Sequence, residues 1–221
     1  SLAISIIGMA LTFSQLACKP SRNSNHLVVA SAGKIISLDP AQASTFSSLQ
    51  LLSALGDPLY DLDSEGNLIP IIALEKPQVS YDGLTILIPL REGIIFHDGT
   101  DLNADSMVFS IKRFMEIGTL NYILGGRISD VKALGPYLLE LKLTRPSESL
   151  NGLLTSINLT PVSPLSYSKY KDTFLNKDFI GTGPYKLTSF TDQKKRLEPF
   201  KRYWGEKPRN YGIDYINLSN S

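Results

Sequence analysis

With 221 residues, 43% hydrophobic and 19% charged, the chain is long enough for one or two lobes with a real core and is ordinary for a soluble globular protein. Lys+Arg at 22 against Asp+Glu at 21 leave a net charge of +1, which argues against a nucleic-acid surface or a polybasic membrane patch. Cys18 is the single Cys, so the folded part has no internal disulfide.

At the N-terminus, Leu2–Phe13 is an apolar run too short to span a bilayer but suited to the h-region of a signal peptide. Leu16-Ala17-Cys18 resembles the end of a bacterial lipoprotein signal, whose Cys becomes the lipidated first residue. Gln15 stands where that class has Leu, and no charged n-region precedes the run. A cleaved secretory signal with an incidental Cys is the competing reading, and Gln15 fits that one poorly too. The expectation is a signal peptide at 1–17 and a polar tether at 18–26, lipid-anchored through Cys18. A start at Ser1 in place of Met points to a fragment.

His26–Ala30 reads as the first strand, and Ile35–Pro40 follows a turn at Gly33. Ser48–Leu55 carries Leu49, Leu52 and Leu55 at helical spacing. Asp61–Pro70 reads as a hairpin. Its Asp61-x-Asp63-x-Glu65-Gly66 imitates an EF-hand start, but Ile72 stands where the bidentate Glu belongs, so a β-turn is expected. Val79 and Leu84–Ile88 are β-type runs joined by Ser80-Tyr-Asp-Gly83, a strong hairpin signal. Glu92-Gly93 and Asp98-Gly99 are further turns, and His97 is expected in a solvated turn. Asn103 is a plausible N-cap with Asp105 in the first turn. Met107, Ile111 and Phe114 then form one apolar helix face, with Lys112 and Arg113 near its end, where cations are favoured.

Tyr122–Val131 is irregular. Val131–Ala133 and Tyr137–Leu143 flank a Gly135-Pro136 turn, with Leu139, Leu141 and Leu143 on one face. Ser149–Ile157 is apolar, is ended by Pro161 and Pro164, and gives way to a polar segment through Asp178. Gly181-Thr-Gly183 lacks the P-loop Gly-Lys-Ser/Thr and reads as a tight strand entry. Lys194–Arg202 reads as a solvated strand face and hairpin, and Ile213–Leu218 as the next strand. With two His and no glycine-flanked nucleophile, no Ser/His/Asp triad assembles. No His, Cys or acidic cluster has metal-ligand spacing.

Leu90, Arg91, Gly93, Phe96, Asp98 and Gly99, followed by Ala104, Asp105, Ser110 and Arg113, match a paired strand-and-helix signature. Leu38-Asp39-Pro40, Asp57-Pro-Leu-Tyr60, the Asp61–Pro70 hairpin, Gly181-Thr-Gly-Pro-Tyr-Lys-Leu187 and Tyr203-Trp204 follow in matching order. Together they resemble the extracytoplasmic solute-binding proteins of ABC transporters, in the peptide/nickel/opine-binding group. The resemblance implies an α/β, periplasmic-binding-protein-like fold (type II, two-lobed), a mixed β-sheet with flanking helices. Only the first lobe and its inserted subdomain are expected: 27–55 and 176–221 in the lobe, 56–175 in the subdomain. It implies no catalysis and no cofactor. The partners it implies are a short peptide or similar solute and membrane permease subunits with cytoplasmic ATPases. Nucleic acid is not among them. The implied place is the periplasm or the outer face of the cytoplasmic membrane.

In that group part of the ligand contact comes from the segment after Leu-Asp-Pro. Carried over, the candidates are Ala43, Ser44, Thr45 and Phe46, with Tyr122 and Arg127 as further cleft residues. Ser44 and Thr45 have a competing reading as caps of the helix near Ser48. An exported hydrolase or sensor built on the same lobe is the alternative function. A nickel-chelate or sugar ligand is the alternative within the group.

Overall fold

The computed structural model describes residues 25–218 apart from 148, 171 and 172. The expected signal peptide and Cys18 lie outside the described residues.

The chain opens with β1 (Leu27–Ser31), then α1 (Phe46–Leu55), β2 (Tyr60–Leu62), β3 (Leu68–Pro70), β4 (Gln78–Val79) and β5 (Thr85–Pro89). Next come α2 (Ala104–Ile117), α3 (Asn121–Leu124), β6 (Ile128–Gly135), β7 (Leu138–Leu143), α4 (Leu150–Leu154) and α5 (Pro164–Tyr167). It closes with β8 (Tyr185–Phe190), β9 (Lys194–Pro199) and β10 (Ile213–Asn217). The strands form two four-stranded sheets, ordered β1-β10-β9-β8 and β4-β5-β7-β6, and the separate β2-β3 hairpin. β1 runs parallel to β10, with Ser31 opposite Asn217, while the other pairs are antiparallel.

Local chemistry accounts for most of these elements. The Asp63 carboxylate accepts from the amides of Glu65 and Asn67, which closes the β2-β3 turn as an Asx turn and not as a calcium loop. Asp82 plays the same part for β4-β5 by accepting from the Leu84 amide. Asn103 caps α2 by accepting from the Ser106 amide, and the Ser106 hydroxyl accepts from the Asn103 amide in return.

Two expectations change here. Pro164 does not merely end a segment. It opens α5, where its missing N–H costs nothing, behind a Ser163 cap. Tyr122–Val131, expected to be irregular, holds most of α3 and the start of β6. Ile35–Pro40 lies outside both sheets. Its polar groups are taken by the loop at 173–178 and by its own side chains, for instance Leu38 N to Asn176 O at 3.1 Å and Asp39 N to Ser37 Oγ at 3.0 Å.

Two apolar cores result. One packs Met107, Ile111 and Phe114 of α2 against Ile86, Ile88, Leu139 and Leu141 of the second sheet. The other packs Leu51, Leu52 and Leu55 of α1 against Leu197 and Tyr215 of the first sheet, with Val162, Tyr167 and Phe179. Each fully buried aliphatic side chain contributes about 1.5–3 kcal/mol. Ile180 borders both cores.

Candidate functional site

The segment after Leu38-Asp39-Pro40 is held from beneath by buried polar groups. Asp39 is fully buried. Its Oδ1 accepts from Arg113 Nη1 at 2.7 Å and Ala41 N at 3.0 Å. Its Oδ2 accepts from Arg113 Nη2 at 2.7 Å and Leu175 N at 2.8 Å. Arg113 also donates to Thr173 O at 2.8 Å and lies over the Tyr167 ring. Asn158 Nδ2 donates to the carbonyls of Pro40 and Ala43, each at 2.8 Å. The chain from 37 to 43 is therefore fixed before it reaches solvent.

Beyond it, Ser44 and Phe46 are exposed, Phe46 at 79%. Ala43 is buried, so only its backbone can face a ligand. Thr45 is the N-cap of α1: Oγ1 accepts from Ser48 N at 3.3 Å and lies 3.0 Å from Ser48 Oγ. Loop 32–36 runs alongside, with Ser31 Oγ 3.1 Å from Ser47 Oγ and Thr45 Oγ1 3.4 Å from Lys34 O. Lys34 is exposed and Ile36 is 65% exposed. Lys34, Ile36, Ser44 and Phe46 thus form an open shelf. It lies past Ser31, at the carboxyl ends of the parallel pair β1 and β10, the edge where open α/β sheets place their ligands.

Tyr122 is exposed on α3, which the Thr119 amide ties to this region by donating to Ala41 O at 2.7 Å. Arg127 turns elsewhere. Its Nη1 donates to Ser149 Oγ, and it lines a surface hollow with Arg145, Pro146, Ser147 and Ser149.

The motif residues are scaffold, and each joins two motifs distant in sequence. His97 corrects an expectation: it is buried, at 4% exposure. Its amide donates to Gly181 O at 2.8 Å, and Nε2 donates to Gly183 O at 3.0 Å, which fixes the Nε2–H tautomer. Lys186 Nζ donates to His97 O at 2.8 Å, and the Phe200 ring meets the imidazole edge to face. Burial pushes the imidazole pKa down to about 4, against the opposing bond to Gly183. Asp57 accepts from Thr182 Oγ1, Tyr203 Oη and Trp204 Nε1 at 3.1, 3.1 and 3.0 Å. Its burial raises the carboxyl pKa, while the bonds from Trp204, Tyr203 and Thr182 pull it down. Arg113 corrects another expectation, since it forms the buried pair with Asp39 and is no helix-end cation. No group of His, Cys and acidic residues among the described residues can hold a metal ion.

The profile of the bacterial extracellular solute-binding proteins, family 5 (middle region), matches residues 67–221. The chain belongs to the bacterial extracellular solute-binding proteins, family 5. Members of family 5 are non-enzymatic transport components. The chain is 32% identical over 183 residues to the glutathione-binding protein GsiB of Escherichia coli O1:K1, covering 80% of this chain and 35% of that protein. It therefore spans about a third of the length of the curated relatives it matches.

Among solved structures it resembles MoaA of A. tumefaciens R10 with mannopinic acid, at TM-score 0.80 and 22% identity, covering 89% of this chain and 41% of that one. It also resembles DppA of Helicobacter pylori with peptide STSA, at TM-score 0.79 and 24% identity, covering 88% and 43%. These likenesses carry the family 5 fold, a type II two-lobed α/β architecture of which this chain is a part.

Lys34 and Ile36 were not singled out from sequence in this family 5 chain. Lys34-Ile-Ile-Ser37 does not alternate in polarity, so no local sequence signal marks them; only the packing of Ile35 and Ser37 turns Lys34 and Ile36 outward.

Proposed function

We propose that this chain supplies one wall of the cleft in an extracytoplasmic binding protein that captures a short peptide or peptide-like solute and delivers it to an ABC permease. The observation that carries the reading is the open shelf of Lys34, Ile36, Ser44 and Phe46, set at the carboxyl edge of β1 and β10 on a backbone clamped by Asp39, Arg113 and Asn158. Ala43, Thr45 and Tyr122 remain candidates, and Arg127, which turns toward Ser149, is a candidate apart from the shelf. Ala43 acts through its backbone, and Thr45 chiefly positions α1. Extended peptides are held largely through their main chain, with exposed side chains such as Phe46 lining pockets for theirs. Closure of a second lobe over the shelf is a population shift, because the ligand touches both walls only when shut.

The proposed division is a lobe at 27–55 and 176–221 and an inserted subdomain at 56–175. The two apolar cores support it, although Val162 and Tyr167 pack into the lobe's core. Lipidation at Cys18, after a signal peptide at 1–17, is proposed as the anchor. Retention of Cys18→Ser protein in the membrane fraction would refute it. Calorimetry of the full-length protein against di- to pentapeptides and glutathione tests the ligand class. Heat with these and no hydrolysis product is expected. Heat only with a nickel chelate, an opine or an oligosaccharide overturns the peptide assignment, and product overturns binding without catalysis.

A further inference from the structure

We infer that Lys34 sets the charge preference of the shelf, favouring solutes that carry a carboxylate or other anionic group beside the apolar ground of Ile36 and Phe46. The inference rests on the proposed reading of this shelf as a ligand-facing wall. Burial alternates over 34–37: Lys34 exposed, Ile35 buried, Ile36 exposed, Ser37 buried. In an extended segment a period of two puts Lys34 and Ile36 on one face, with Ile35 turned into the core beside Leu51 and Tyr215. The Lys34 carbonyl approaches Thr45 Oγ1 at 3.4 Å, which brings this face to the start of α1 and its exposed Phe46.

In segments 31–37 and 43–50, which build the shelf, Lys34 is the one charged side chain. Of the charges on the loop at 173–178 and beneath the shelf, Asp39 is buried against Arg113, Lys177 stands 4.0 Å from Asp192, and Asp178 keeps its charge while Oδ1 accepts from the Phe179 amide at 2.8 Å. An ammonium on an otherwise uncharged wall attracts anions weakly in water, and more strongly once a closing lobe lowers the local dielectric. Its exposure leaves it free of any structural duty that a substitution would disturb.

The test is calorimetry on the full-length protein with Ala-Glu-Ala, Ala-Ala-Ala and Ala-Lys-Ala, at low and high salt. The wild type is expected to bind Ala-Glu-Ala about three- to tenfold tighter than Ala-Lys-Ala, with the ratio shrinking as salt screens it. Lys34→Glu should invert the ratio and Lys34→Met should bring it close to one, while the unfolding midpoint stays unchanged. A ratio that neither substitution moves overturns the role of Lys34 alone. No binding of any of the three peptides by the wild type overturns the peptide reading of the shelf, and this inference with it.

Discussion

Arg113 and Asp39 lie 74 residues apart in sequence and meet in a bidentate pair, both contacts at 2.7 Å, with neither side chain more than 5% exposed. Asp39 carries four accepted hydrogen bonds, as many as a carboxylate can take. The pair joins the signature helix to the segment that presents the shelf. Breaking one side strands a buried charge, so Arg113→Met should cost about 3–5 kcal/mol. Asp39→Asn combined with Arg113→Met should cost less than the sum of the two single changes. A double-mutant cycle by urea unfolding measures that coupling, and simple additivity would rule the pair out as the main term.

His97 predicts an acid limb in stability. Its pKa is about 4 in the fold against 6.5 in the unfolded chain. Between these values the unfolded chain binds a proton that the folded one does not. Its contribution is therefore complete above pH 6.5 and is lost as pH falls toward 4, about 3 kcal/mol in all at 1.36 kcal/mol per pH unit. His97→Gln retains a donor for Gly183 O and should flatten this limb. Asp57, with its raised pKa, acts with the opposite sign, so the wild-type minus His97→Gln difference is the quantity to follow by unfolding at stepped pH.

Two glycines separate strain from crowding. A Cβ at Gly183 would stand 2.4 Å from the Leu55 carbonyl carbon and 2.6 Å from Gly56 N, both backbone atoms that cannot yield. Gly66 has φ +84° but open space around it. Gly66→Ala should cost about 1 kcal/mol. Gly183→Ala should cost several times more, or prevent folding, and thermal denaturation of the pair gives the comparison.

Asp57→Ala should leave the donors of Thr182, Tyr203 and Trp204 without their acceptor and cost about 2 kcal/mol or more. Trp204 is the only Trp, so its emission reports on the site directly. A red shift is expected in the folded variant. Unchanged emission would mean that the indole keeps its environment without the carboxylate.

Phe46→Ala should change stability by less than about 0.5 kcal/mol, since the ring is largely in solvent. It should weaken peptide binding by the full-length protein about fivefold or more. Equal affinity in wild type and variant would move the ligand off the shelf.

Much of the local architecture was legible before folding. The Asp82-Gly83 hairpin, the Asn103 cap and the Met107–Ile111–Phe114 face follow from neighbours a few residues apart, and the structure has them all. Thr45 is the N-cap of α1, one of the two roles its position before Ser48 allows. Arg113 was misread because helix-end chemistry suits any cation near a C-terminus, and nothing local announces a buried carboxylate waiting across the core. His97 was misread for the converse reason: an Asp-Gly turn is ordinarily solvated, and only the Phe179 and Phe200 rings shut water out.

The sequence by itself determined the family, through motifs in fixed order, and the elements, through caps, turns and periodicity. Tertiary structure alone decided what the motifs are for. Asp39 with Arg113, His97 with Gly183, and Asp57 with Trp204 lie 74, 86 and 147 residues apart. Pairing over such spans depends on which surfaces the two cores bring together, not on neighbouring residues. The same packing turns Lys34 and Ile36 outward beside Phe46, and so makes a shelf from residues whose local sequence is unremarked.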